Sequence, residues 1–179
     1  MTLSEASQKL LNLSPEELKL IKSKIKIIAF DIDGTLTDGS IYMGELGEVF
    51  KVFNAKDGYG IRKAEAQGLK IYFITAREAS GGVYKRIEDW NLPANRIRDK
   101  SRNKINCAEK ILAENNCTFE NFAFMGDDIP DLELLKKSIL SACPADAVLE
   151  IQSKVNFITK LNGGKGAARE FIDLILQND

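Results

Sequence analysis

Apolar positions along the chain change their period several times, and each change marks an element. Residues 25–30 are mostly apolar, β-branched and brief, the pattern of a parallel strand buried on both faces, and they run straight into Asp31. Upstream, Ser4 is placed to cap a short opening helix. Ser14-Pro15-Glu16-Glu17 joins an N-cap, a first-turn proline and a capping-box glutamate ahead of Leu18, Leu20 and Ile21. Two short amphipathic helices are therefore expected before the sheet, an N-terminal helical extension over residues 1–24, with one domain over 25–179.

Residues 40–54 carry two β-rich arms joined by a turn containing Gly44 and Gly47, which predicts a hairpin projecting from the sheet. Helices are then expected over 58–67, 78–90, 103–114, after Pro130, and over 167–176. Strands are expected over 69–75, near 96–98, over 121–126, and more weakly over 138–143. Strands alternating with helices predict an α/β fold, a doubly wound parallel sheet of the Rossmann-like kind whose ligands sit at the carboxyl ends of its strands.

Composition narrows the function more than the fold. Lys and Arg total 25 against 26 Asp and Glu, so no basic excess draws the chain to nucleic acid or an anionic membrane, and a small molecule is the expected partner. No apolar run reaches the roughly 18 residues of a membrane span, and the acid-bearing N-terminus is unlike a signal peptide, so a cytoplasmic protein is expected. Cys107, Cys117 and Cys143 form no C-x-x-C pair and read as ordinary thiols of a reducing compartment.

Histidine is absent, which removes phospho-histidine enzymes, His-based metal sites and Ser-His or Cys-His catalysis. No cysteine is followed by arginine at the spacing of a thiolate phosphatase, and no G-x-x-x-x-G-K-[ST] loop occurs. Aspartates remain, and they gather at predicted strand ends. Asp31-Ile32-Asp33-Gly34-Thr35 follows the first strand, Thr75 the second, and Gly126-Asp127-Asp128 a later one. Asp31 and Asp33 facing Asp127 would hold a hard cation such as Mg²⁺ through oxygen ligands, and Gly34 lets backbone amides approach an anion. Taken alone, Thr75 reads as a helix N-cap and Lys104 as a solvated helix face.

DIDGT, Thr75, Lys104 and GDDIPD resemble, in order, the four motifs of the haloacid dehalogenase superfamily. Neither the Asp33 to Thr75 nor the Thr75 to Asp127 interval has room for a cap domain, so the resemblance is to the capless branch. Within it, DIDGTLTDGSIY, the KDG at 56–58, GDDIPDLELL and NGGKGAARE resemble the 3-deoxy-D-manno-octulosonate 8-phosphate phosphatases. Phosphatases of nine-carbon keto-acid 9-phosphates and the C-terminal domain of some sialic acid cytidylyltransferases share much of this pattern.

The resemblance implies that Asp31 is a nucleophile forming an aspartyl-phosphate and that Asp33 is the general acid and base. It implies Mg²⁺ held by Asp31, the Asp33 carbonyl and Asp127, with Asp128 and Asp131 behind them. Lys104, Thr75 and the amide of Ala76 would bind the phosphate; Lys56, Arg77 and Arg169 are substrate-binding candidates. Arg77 reads equally as a partner for a sugar carboxylate or as a solvated charge, and Lys165 and Arg169 as site-closing groups or as helix-terminal packing. The family's Gly-Arg-Asp-Ser is here Ala76-Arg77-Glu78-Ala79. Members are homotetramers acting in lipopolysaccharide biosynthesis, and burial between subunits would suit an apolar hairpin patch of Ile41, Met43, Phe50 and Phe53. A phospho-acceptor signalling domain and a non-catalytic oligomerisation domain are the rival classes.

Overall fold

The computed structural model describes residues 9–10, 13–45 and 47–177. The strands are β1 (Lys9–Leu10), β2 (Ile27–Phe30), β3 (Tyr42–Gly44), β4 (Gly47–Phe50), β5 (Lys70–Ile74), β6 (Ile97–Arg98), β7 (Phe122–Met125), β8 (Leu140–Cys143) and β9 (Phe157–Ile158). The helices are α1 (Pro15–Lys24), α2 (Ala55–Ala66), α3 (Gly81–Asp89), α4 (Lys104–Glu114), α5 (Leu132–Lys137), α6 (Leu149–Gln152) and α7 (Ala167–Leu176).

Among the described residues one sheet runs in the order β1-β9-β8-β7-β2-β5-β6, parallel throughout except for β1, which pairs antiparallel with β9. The chain goes from β2 outward through β5 to β6, then returns to the other side of β2 as β7, β8 and β9. The crevice between β2 and β7 is thus the topological switch point, where ligands bind in such sheets.

Both faces of β2 are buried, as its near-continuous apolar sequence requires. Ile28 and Phe30 join Ile61 of α2, Phe73, Trp90 and Phe171 of α7 in one core layer. Ile27 and Ala29 join Ile111 of α4, Phe124 and Leu135 of α5 in the other. Each Ile, Leu or Phe side chain among them contributes roughly 1.5–3 kcal/mol by leaving water, so these layers hold the strand ends rigidly.

Several boundaries differ from the sequence reading. The Ser4-capped opening helix lies largely outside the described residues, but Lys9–Leu10 forms an edge strand where helix was expected. Ser14 does cap α1, with Glu17 returning the bond to the Ser14 amide at 2.8 Å. Helix α2 begins at Ala55, three residues before the expected start, behind Asn54, whose side chain caps it by accepting from the Lys56 amide. Helix α3 begins only after Ser80, because the Ala79 amide is held by Asp99 Oδ2 and the Arg77 carbonyl by the Lys100 amide.

Candidate active site

Asp31 leaves β2 directly, its amide bonded to the Met125 carbonyl at 2.9 Å, so the register of β2 on β7 fixes where the carboxylate points. Asp127 lies just beyond β7, across the crevice. Between them the chain turns at Gly34, whose φ of +86° suits glycine, and a Cβ there would lie 2.1 Å from Asp127 Oδ2. Thr35 Oγ1 donates to Asp127 Oδ1 at 2.9 Å, tying the two strand ends together.

Lys104, the first residue of α4, extends into the crevice and is 3% exposed at its side chain. Its ammonium donates to Asp31 Oδ1 and to Asp131 Oδ1, each at 2.6 Å. Asp131 Oδ2 accepts from the Asp127 amide at 3.0 Å, so the residue braces the loop after β7. Burial alone would lower the Lys104 pKa, but Asp31 and Asp131 outweigh it and hold the ammonium charged.

Carboxylate oxygens of Asp31, Asp127 and Asp131 lie within 4.8 Å of one another. Burial, reinforced by the charge of Asp131, pushes the Asp31 pKa well above the usual carboxylate range despite Lys104. Burial and Asp131 push Asp127 up to about 7, against the bond from Thr35. Three carboxylates against one ammonium leave an excess negative charge that a hard divalent cation on oxygen ligands would neutralise. Asp131 already has both oxygens bonded, so Asp31 and Asp127 are the carboxylates with acceptor capacity to spare.

Asp31, Asp33, Thr75, Ala76, Arg77, Lys104, Asp127, Asp128 and Asp131 all line one cleft of about 230 Å³. Thr75 is buried and does not cap α3; its Oγ1 accepts from the Arg77 amide at 3.2 Å. Asp128 caps the short helical turn at Ile129–Asp131. Arg77 is half-exposed, and its Nη2 donates to Glu48 at 2.9 Å. Lys56 and Arg169 are not brought to the cleft. Lys56 is exposed on the first turn of α2, while Arg169 pairs with Asp173 at 2.6 Å and lies over the Tyr59 ring. Lys165 reaches Asp38 at 3.4 Å.

Two charged residues at the cleft escaped the sequence reading. Lys51, following β4, contacts Asp33 Oδ1 and lies 2.9 Å from Glu48, with its side chain 4% exposed. Their signal was weak, since charges on a hairpin ordinarily face water. Of the expected hairpin patch, Ile41, Met43 and Phe50 are exposed, whereas Phe53 is partly buried and packs edge-on against Trp90 at the margin of the core.

A family profile described as haloacid dehalogenase-like hydrolase matches residues 83–171. The chain is 37% identical over 154 residues to the 3-deoxy-D-manno-octulosonate 8-phosphate phosphatase of Escherichia coli, covering 85% of this chain and 79% of that one. The solved structure of the Yersinia pestis enzyme of the same name superposes with a TM-score of 0.85 at 31% identity, covering 95% and 91% of the two chains. The Moraxella catarrhalis enzyme, solved with a magnesium ion, a phosphate ion and KDO, superposes with a TM-score of 0.85 at 27% identity, covering 91% and 92%.

Proposed function

Since the chain belongs to the haloacid dehalogenase-like hydrolases of the 3-deoxy-D-manno-octulosonate 8-phosphate phosphatase type, and so is a phosphoric monoester hydrolase, we propose that it is a Mg²⁺-dependent phosphatase of 3-deoxy-D-manno-octulosonate 8-phosphate. The observation that carries this reading is the convergence, at one switch point, of Asp31, Asp127 and a buried Lys104. The naming of similar chains as phosphatases of that substrate, at 37% identity in one case, supports the same choice.

An Asp31 oxygen attacks phosphorus, an aspartyl-phosphate forms, and the bond to the leaving sugar oxygen breaks. Asp33 gives its proton to that oxygen. In the second half, water attacks the same phosphorus, passes a proton to Asp33, and the bond to Asp31 breaks. Lys104 and the Thr75 hydroxyl, with the Ala76 amide, bind the phosphate oxygens. Asp31, Asp127 and the Asp33 carbonyl hold Mg²⁺, which when bound offsets the repulsion between carboxylate and phosphate. Asp128 and Asp131 support these ligands from behind.

Arg77, at the cleft mouth, binds the sugar carboxylate in place of Glu48. The hairpin's exposed apolar residues pack between subunits of a homotetramer, and the enzyme works in the cytoplasm on a precursor of lipopolysaccharide. Lys56 and Arg169 do not line the cleft of their own chain and carry no step of this mechanism.

The test is phosphate release with Mg²⁺ from 3-deoxy-D-manno-octulosonate 8-phosphate, nine-carbon keto-acid 9-phosphates and hexose phosphates, with Asp31→Asn as control. Selective turnover of the first, abolished in the variant, is the expected result. Preference for a nine-carbon acid would move the substrate and keep the chemistry. No turnover of any ester would overturn the reading in favour of an oligomerisation or signalling domain.

A further inference from the structure

The hairpin places a buried cation against Asp33, and we infer that Lys51 is the positioning residue for that carboxyl group. The inference rests on Asp33 acting as the proton-transfer group. An ammonium this deeply buried is tolerated only when paired. Lys51 has two partners, Asp33 Oδ1 in direct contact and Glu48 at 2.9 Å. Glu48 is bound in turn by Arg77 at 2.9 Å.

This arrangement distinguishes the two oxygens of Asp33. Oδ1 is occupied by Lys51, whereas Arg77 Nε lies 3.9 Å from Oδ2, beyond a good hydrogen bond. A carboxylic acid has a carbonyl oxygen that accepts and a hydroxyl oxygen that donates. Lys51 donates to Oδ1 whether Asp33 is a carboxylate or an acid, so the contact persists through both halves of the cycle and the proton resides on Oδ2. Without Lys51 the Asp33 side chain would turn among its rotamers, and the proton would be misplaced when the sugar oxygen leaves.

The step that depends on this is departure of the leaving group. As the bond from Asp31 to phosphorus forms and the ester bond breaks, the electron pair stays on the leaving oxygen, which takes the Oδ2 proton. An alkoxide needs that proton; p-nitrophenolate, a stable anion, leaves without it. The second half of the cycle is common to all substrates, so kcat/KM reports the leaving-group step separately.

The experiment measures kcat/KM with Mg²⁺ for wild type, Lys51→Met and Lys51→Arg on three esters: 3-deoxy-D-manno-octulosonate 8-phosphate, a hexose 6-phosphate and p-nitrophenyl phosphate. Lys51→Met should lower both alkyl esters by roughly 10²-fold, the low end for a general acid, and the aryl ester by less than about a tenth of that factor. Lys51→Arg, which can still donate to Oδ1, should recover part of the alkyl loss. An equal loss on all three esters would mean a merely structural role and overturn the inference. A loss confined to the sugar acid would also overturn it, placing the effect on Arg77 instead. Absence of turnover in wild type on all three would remove the phosphatase reading itself, and this inference with it.

Discussion

Lys104 Nζ and Asp31 Oδ1 are 2.6 Å apart in a site where the lysine side chain is 3% exposed, and the same ammonium bridges to Asp131 at the same distance. One cation thus holds two buried carboxylates that belong to different strand ends. Replacing it with the apolar Lys104→Met leaves both uncompensated, which typically costs about 3–5 kcal/mol. Urea unfolding at neutral pH should show a loss of that order, and phosphate release should fall by more than about a hundredfold. A Lys104→Met protein of wild-type stability would show that this pair contributes nothing to holding the crevice.

The loop before α7 packs against the loop after β2 so closely that side chains are excluded. A Cβ on Gly163 would lie 1.8 Å from the Gly34 carbonyl oxygen, and the Gly164 amide bonds the Thr35 carbonyl at 3.1 Å. Gly163→Ala must push the Gly34 turn, and with it Asp127, out of place. Overpacking of this kind costs roughly 1–3 kcal/mol. Gly81→Ala meets nothing within 4 Å and should stay within about 0.5 kcal/mol of wild type. Denaturation midpoints of the two variants decide the matter, together with kcat, which should fall for the first alone.

Much of this was legible in the sequence because it depended on strand ends. Buried strands announce themselves by short apolar runs, and polar residues after Phe30, Ile74 and Met125 then fall on one edge of a parallel sheet. The two-residue strands β1 and β9 carry no period and were invisible, as was the four-residue α6, whereas the equally short β6 was placed by its position between two helices. Lys51 and Glu48 were missed for a different reason. Whether a hairpin charge meets water or Asp33 depends on how the hairpin folds over the cleft, which no local pattern encodes. The same blindness placed Phe53 on the surface, although it packs on Trp90.

The hairpin leaves apolar surface that a monomer would expose to water. Met43 is 66% and Val49 63% exposed, and the Tyr42 and Phe50 rings stack with centroids 4.4 Å apart. Burial between subunits of the proposed tetramer would remove this patch from water. Light scattering coupled to size exclusion should find wild type near four times the mass of the 19.9 kDa chain. Met43→Glu with Val49→Glu should shift it toward the monomer, because each places a charge in an apolar contact. A monomeric wild type at micromolar concentration would remove the tetramer.

Asp57 gives a test of stability that is independent of catalysis. Its carboxyl group lies under the start of α7, with Oδ1 accepting from the Arg169 amide at 2.8 Å and Oδ2 without a hydrogen-bond partner. Burial pushes its pKa up to about 6, although the amides of Arg169 and Gly166 and the Arg169 charge oppose the shift. A carboxyl group with a raised folded pKa keeps its proton to higher pH in the folded chain than in the unfolded one. Between about pH 4 and pH 6 the folded state therefore binds more protons, and stability falls as pH rises through that window. Above it the native state carries a buried charge at a cost of about 3 kcal/mol. Asp57→Asn keeps an acceptor for the Arg169 amide and has no such titration. The stability of the variant relative to wild type should thus rise by about that amount between pH 4 and pH 8, measured by urea unfolding. Parallel stability curves for the two proteins would show that Asp57 has the same pKa folded and unfolded, the amides at the start of α7 offsetting burial.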